Sequence, residues 1–419
     1  MVRYERLLAD RAELFRASEV RELLKLTEGR KIISLAGGLP DPHVFPKEEL
    51  AEIAKEVILE HGDKALQYSP TAGVTEFREE LRKFMISKGV KVNDDDSIMV
   101  TTGSQQALDL LSRTFIQKYD EVIVELPTYL AALNAFRLSR PGFTGIPIDE
   151  NGMRTDILEE EVKRLIWLGR KIKFIYTIPV AHNPSGVTMS IDRKKHLLEI
   201  ASKYDLVIVE DDPYSFFVYD ENVDVTPLKT LDKEGRVIYL STFSKILAPG
   251  LRIGWVIGNK YVIDVMERAK QTADLHSSTL TQYIAMEAIR RGVVNKTIEK
   301  AKKLYRVKRD AMMQALEEYM VEGAWWPRPV GGLFVMVFLP SYDIDTKKLL
   351  REALNAGVAY VPGSSFFANG TGWNTMRLNF SYPSPDEIRE GVRILSDIIK
   401  KHLKGKPQKT IKPEHIYQA

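Results

Sequence analysis

VIYLSTFSKILAPGLRIG, residues 237–254, is the stretch on which the fold and chemistry of this chain turn. Its first four residues are apolar, the pattern of a short buried strand. Where the run ends stand Thr242, Ser244 and Lys245, and seven residues on comes Arg252. A lone lysine is most simply a solvated surface residue. At the end of an apolar strand, among hydroxyls and small residues, it is also a candidate reactive amine.

Working outward, the same arrangement recurs. From about residue 95 to 260, apolar runs alternate with helical segments. DSIMVTTG reads as a strand, and SQQALDLLSRTFI as a helix starting at Ser104. DEVIVELP, KFIYTIP, LVIVEDDPY and VIYLSTFS read as further strands, bounded by Pro, Gly, Asp or Ser. Near-continuous apolar strands separated by helices predict an α/β fold with a mostly parallel sheet covered on both faces. In such sheets ligands gather at the carboxyl ends of the strands. The polar tips fall there: Gly103-Ser104-Gln105, Pro127-Thr128-Tyr129, His182-Asn183-Pro184, Asp211-Asp212-Pro213-Tyr214 and Thr242 to Lys245.

After about residue 295 the texture changes. NKTIEKAKKLYRVKRDAMMQALEEYM predicts one long helix, and its run KKLYRVKR is most simply a solvated face. Strands GLFVMVFLP, VAYVPG and TMRLNFSY follow, with helix DTKKLLREALNAG among them. In the final helix Ile388, Val392, Leu395, Ile399 and Leu403 fall on one face after a capping Ser-Pro-Asp-Glu sequence. The expected organisation is an N-terminal helical segment (1–35) packing with the small domain, a large domain (36–295), a smaller α/β domain (296–404) and a tail (405–419).

Composition narrows the function. The chain has 419 residues, too many for one core of roughly 250–300 residues. With 60 Lys plus Arg against 57 Asp plus Glu, it lacks the basic excess of a nucleic-acid binder, so no nucleic-acid partner is expected. Without cysteine it can form neither disulfides nor thiolate sites. Its seven histidines never fall at helical zinc spacing, and no metal is expected. No apolar run approaches the roughly 20 residues of a membrane span, and the charged N-terminus is no secretory signal, so no membrane partner is expected and cytoplasm is the default.

Taken together, the polar tips describe one site. An amine such as Lys245 can condense with an aldehyde, most commonly that of pyridoxal 5'-phosphate (PLP). Asp211 can pair with the cofactor's ring nitrogen and keep it protonated. Asn183 and Tyr214 can hydrogen-bond the phenolic oxygen, and Tyr129 can stack on the ring. Gly103-Ser104-Gln105 opens a helix directly after a strand, where N–H groups and the helix dipole favour an anion. Thr242, Ser244 and Arg252 add hydroxyls and a guanidinium for the phosphate.

STFSKILAPGLRIGW resembles the lysine motif of the fold-type I PLP-dependent aminotransferases, HNPSG their Asn-Pro-x-Gly turn, and EDDPY their Asp-x-x-Tyr. SLAGGLPDPHVFP, LQYSPTAGVTEFRE, TTGSQQALDLL, KQTADLHSSTLTQ and VPGSSFFANG resemble the α-aminoadipate/kynurenine and aromatic aminotransferase branch. Thr242 stands where many relatives carry Ser, and the hydroxyl is kept. The resemblance implies a large domain with a mostly parallel seven-stranded sheet, and a homodimer with its sites at the subunit interface. It implies Lys245 as Schiff-base lysine and proton shuttle, with Asp211 and Tyr129 as its catalytic companions. It assigns Ser104, Gln105, Thr242, Ser244 and Arg252 to the phosphate, with Tyr68 reaching it from the other subunit. Arg377 would clamp the substrate α-carboxylate beside Asn183. Gly38 and Leu39 would line the substrate pocket, and Arg21 would meet a distal carboxylate.

The implied reaction moves an amino group from an amino acid (glutamate, α-aminoadipate, aromatic or aliphatic) to a 2-oxo acid such as 2-oxoglutarate. Alanine–glyoxylate exchange and a PLP-dependent β-lyase are the alternatives. A PLP-bearing transcription regulator would need a winged-helix module before residue 35, where no room is expected. A Ser-x-x-Lys hydrolase fails because Thr242 stands three residues before Lys245. Trp325, Trp326, Phe366 and Phe367 are expected in the core or an interface.

Overall fold

The computed structural model describes residues 2–15, 31–341 and 343–403. In chain order its strands are β1 (Ile33–Ser34), β2 (Asp96–Thr101), β3 (Glu121–Leu126), β4 (Gly142–Asp149), β5 (Gly152–Met153), β6 (Ile172–Thr177) and β7 (Ile208–Asp211). They continue with β8 (Val237–Thr242), β9 (Gly254–Asn259), β10 (Phe334–Phe338), β11 (Val358–Ala359), β12 (Val361–Pro362) and β13 (Thr375–Asn379). One sheet has the order β2-β9-β8-β7-β6-β3-β4-β5. Strands β4, β3, β6, β7 and β8 run parallel to one another. β9 runs antiparallel between β8 and β2, and the two-residue β5 adds an antiparallel edge to the seven longer strands.

Side chains alternate along each strand, so this sheet buries two faces. On one, Ile123, Ile146, Ile175 and Ile208 meet Leu158, Val162, Leu197 and Ile200 from helices Thr155–Trp167 and Ile191–Lys203. On the other, Val122, Val124, Phe174, Tyr176 and Trp255 join Leu108 and Leu111 of helix Ser104–Phe115. Each fully buried large side chain contributes about 1.5–3 kcal/mol. This two-sided burial explains why the VIV run of β3 and the VIYL run of β8 are apolar without alternation.

A three-stranded antiparallel sheet, β10-β13-β12, carries Arg377 at the centre of β13. VAYVPG divides into β11 and β12 at Tyr360, whose hydroxyl donates to Thr346 O. β1 pairs in parallel with β11, and Asn379 N donates to Leu35 O, so residues 33–35 are tied to these small-sheet strands. Helix Val293–Tyr319 is continuous, and KKLYRVKR is a solvated face only in part: Lys303 and Arg306 are exposed, whereas Tyr305 and the last two residues turn inward. Lys308 and Arg309 are buried because Asp41 and Asp220 neutralise them there. Helix Pro385–His402 starts at a reciprocal cap between Ser384 and Glu387. Among the described residues no helix is long and apolar enough to cross a membrane.

Candidate active site

The carboxyl ends of the parallel strands open on a cavity of about 780 Å³. It is lined by Gly38, Leu39, Ser104, Gln105, Tyr129, Asn183, Asp211, Tyr214, Thr242, Ser244, Lys245, Arg252 and Arg377. These are all the sequence-predicted site residues except Tyr68 and Arg21. Tyr68 is 78% exposed and faces a different hollow, edge-on to His276 at 5.6 Å. Arg21 and the 405–419 tail lie outside the described residues.

Lys245 sits on the short helix Phe243–Ile246, which starts as β8 ends; Thr242 caps it by accepting from Ser244 N. Its Nζ donates to Gly38 O at 2.5 Å. Burial, with Arg377 and Arg252 nearby, pulls the ammonium down to about 8. Near neutral pH it therefore gives up its proton far more easily than an ordinary lysine.

Asp211 ends β7. Its Oδ2 accepts from Tyr176 Oη at 2.7 Å, while its buried Oδ1 has no hydrogen-bond partner among the described residues. Burial pushes this carboxyl up to about 7, opposed by the tyrosine bond and reinforced by Asp212. A buried carboxylate oxygen left open toward a cavity calls for a cationic donor. The neighbouring Asp212 serves the turn instead, accepting from Ser215 N and Tyr239 Oη.

Asn183 lies in the turn after β6, where its peptide bond to Pro184 is cis. Beneath it, His182 Nδ1 shares a 2.8 Å bond with Ser185 Oγ, and Nε2 lies 3.1 Å from Glu125. Asn183 Nδ2 donates to Tyr214 Oη at 3.4 Å, and its Oδ1 accepts from Arg377 Nη1 at 2.9 Å. Arg377 Nη2 donates to Ala36 O at 2.8 Å, while the buried Nε lacks a partner among the described residues. The guanidinium lies over Phe334 at 4.1 Å and Phe366 at 5.0 Å. Burial pulls it down to about 10, still a cation at neutral pH. Burial raises the Tyr214 hydroxyl far above its ordinary value, so it remains a donor.

The third part is an anion cup. Ser104 begins a 12-residue helix directly after Gly103. Gly103 has φ +71°, and a Cβ there would overlap Arg252. At Gly254 a Cβ would lie 2.6 Å from Ser104 N, so only glycine lets β9 pass this close behind the helix start. Arg252 reaches Ser244 Oγ at 3.4 Å and Thr102 O at 3.4 Å.

Sequence reasoning missed Phe334 as a wall residue; Phe366 is buried in the core as expected, and both rings also line the cavity under Arg377. It also missed Tyr176, the partner of Asp211, though it sits one residue from the end of β6.

Residues 30–395 match the family model "Aminotransferase class I and II". The chain is 50% identical to aromatic-amino-acid aminotransferase 1 of Thermococcus litoralis, over 96% of each protein. It is 40% identical to a 2-aminoadipate transaminase of Thermus thermophilus, over 92% of this chain and 94% of that one. The crystal structure of a Pyrococcus horikoshii kynurenine aminotransferase in complex with PMP superposes with a TM-score of 0.92, at 51% identity, covering 96% of this chain and 99% of that one.

Proposed function

The chain belongs to the class I and II aminotransferases and is a PLP-dependent transaminase acting on amino acids and 2-oxo acids; from that premise we propose a role for each residue of the cavity. The observation that carries the assignment is the open Oδ1 of Asp211, buried in the same cavity as Lys245. The residues present fit PLP: a free amine for its aldehyde, a carboxylate for its ring nitrogen, and an anion cup for its phosphate.

When bound, PLP supplies an electron sink for the pair released as the substrate Cα–H bond breaks. The protein's own residues do the rest. Lys245 Nζ is the amine for the aldehyde and the base that takes and returns the Cα proton. Asp211 keeps the ring nitrogen protonated. Asn183 and Tyr214 hold the phenolic oxygen, and Tyr129 covers a ring face. Ser104, Gln105, Thr242, Ser244 and Arg252 bind phosphate. Arg377 grips the substrate α-carboxylate, helped by the preset Asn183 bond.

We take the enzyme to be a homodimer in which Tyr68 serves the partner's cavity. Its exposure beside exposed Leu66 and Leu275 supports this. Residues 36–295 then form the cofactor domain, and 296–404 the smaller one carrying Arg377. The apolar wall of Phe334 and Phe366, with Leu39 at the mouth, supports aromatic and aliphatic amino acids. Acidic substrates, glutamate and α-aminoadipate, depend on Arg21.

Borohydride reduction of the holoenzyme, followed by denaturation and peptide mass analysis, should find a pyridoxyl group on the Lys245 peptide. Lys245→Ala should carry none and show no turnover. A label elsewhere, or full turnover by the variant, would sink the assignment. Half-reaction rates over a panel of amino acids, repeated with Arg21→Ala, separate the substrate classes. A loss confined to acidic donors supports the role of Arg21, and uniform rates remove it.

A further inference from the structure

Behind the anion cup the chain buries a lysine that neither cofactor nor substrate contact requires. Lys270 lies on helix Lys260–Asp274 with its side chain fully enclosed. Its Nζ donates to Asp274 Oδ1 at 2.7 Å and to Gln106 Oε1 at 2.8 Å. Gln106 Nε2 donates in turn to Asp274 Oδ2 at 2.6 Å, and its Oε1 also accepts from Thr102 N at 2.8 Å. Thr102 Oγ1 donates to the same carboxylate at 3.0 Å, while Thr102 O accepts from Arg252. Both ends of residue 102 are thus pinned immediately before Gly103, the residue that aims the helix start.

A helix-stabilising pair at i,i+4 is the simpler explanation of Lys270 and Asp274. Lys260 and Asp264, on the same helix, are such a pair, with side chains 67% and 42% exposed. Lys270 differs: it is enclosed and reaches off its own helix. There is also a charge argument. Asp274 and Arg252 line one hollow on the outer side of the cup. A carboxylate there would oppose a phosphate unless a cation compensates it, and Lys270 is bonded to it.

We propose that Lys270 and Asp274, linked through Gln106, are positioning residues for the phosphate end of the cofactor. They set residues 102–105 and the Arg252 guanidinium without touching the ligand. The proposal rests on the assignment of Ser104, Gln105, Thr242, Ser244 and Arg252 to phosphate made above.

The test compares affinity of the cofactor-stripped chain for PLP and for pyridoxal, which lacks the phosphate, by absorbance titration. Losing a charged hydrogen bond of this kind should weaken PLP binding about tenfold or more in Lys270→Met, with pyridoxal affinity unchanged. Lys270→Arg should restore most of the loss. Adding Asp274→Asn to Lys270→Met should also recover part of it, because the uncompensated carboxylate is gone. Gln106→Met, at a half-buried site, carries the same test should the lysine variant fail to fold. Equal losses for both ligands, or none, would reduce the network to helix packing and overturn the proposal. Arg252→Ala is measured in parallel: an unchanged preference for PLP over pyridoxal there would overturn the phosphate assignment itself.

Discussion

Arg377 donates through Nη1 to the side-chain oxygen of Asn183 at 2.9 Å, joining β13 of the small sheet to the turn after β6 of the large one. The guanidinium plane is therefore set before any carboxylate arrives, with Nε still open. Arg377→Lys removes the fork while keeping the charge. It should raise KM for every amino acid by about 10–100-fold, from the loss of one or two charge-assisted hydrogen bonds. Asn183→Ala should raise KM less, and also alter the visible spectrum of the bound cofactor. A KM change limited to one substrate class would contradict the α-carboxylate role.

Lys245 and Asp211 are both pushed toward their neutral forms by burial, with opposite consequences for stability. For Lys245, held at about 8 against an ordinary 10.5, the native cofactor-free chain binds fewer protons than the unfolded chain between those values. Its stability should rise with pH across that window. Lys245→Met should remove this dependence and stabilise the cofactor-free chain at pH 7 by on the order of 3 kcal/mol. Urea denaturation at pH 7 and above pH 10.5 checks it; equal gains at both would contradict the assigned cause.

For Asp211, held at about 7 against an ordinary 3.8, the native chain binds more protons than the unfolded one between those values. Stability of the cofactor-free chain should fall as pH rises through that range. Asp211→Asn should flatten the fall. With PLP bound, the same variant should keep the cofactor but slow the half-reaction about 100-fold or more, since the ring nitrogen loses its anionic partner. Stopped-flow absorbance measures that rate, and an unimpaired half-reaction would remove Asp211 from the chemistry.

Gly254→Ala should act on the phosphate alone. Its new Cβ would press on backbone at Ser104 and Gly103, which cannot swing aside as a side chain can. PLP affinity should fall about tenfold or more, while affinity for pyridoxal holds. Equal affinities in wild type and variant would show that the cup tolerates the shift.

Much of this architecture is legible in sequence because both sheet faces are covered. The strands then read as apolar runs, and each polar tip announces a strand end, as at Asp211 and Thr242. β4 and β9 escape that signal because GFTGIPID carries glycine and proline, and GWVIGN glycine, within the strand. Charged residues mislead in the other direction. Lys308 and Arg309 read as solvent-facing, yet their partners Asp41 and Asp220 lie 267 and 89 residues away. Lys270 is hidden likewise, since Gln106 belongs to a different strand–helix unit. Periodicity reports burial along one element and is blind to a neutralising partner brought by another.

The contacts of residues 36–38 give the cavity a further property. Ala36 O occupies Arg377 and Gly38 O occupies Lys245, so two main-chain oxygens already stand against the two cations that matter most. An incoming carboxylate competes with Ala36 O for Arg377 rather than meeting bare charge, and its measured affinity is the difference between two sets of bonds. A substitution at Ala36 or Gly37 that moves Ala36 O should thus rescale KM for all amino acids together and leave their ranking intact.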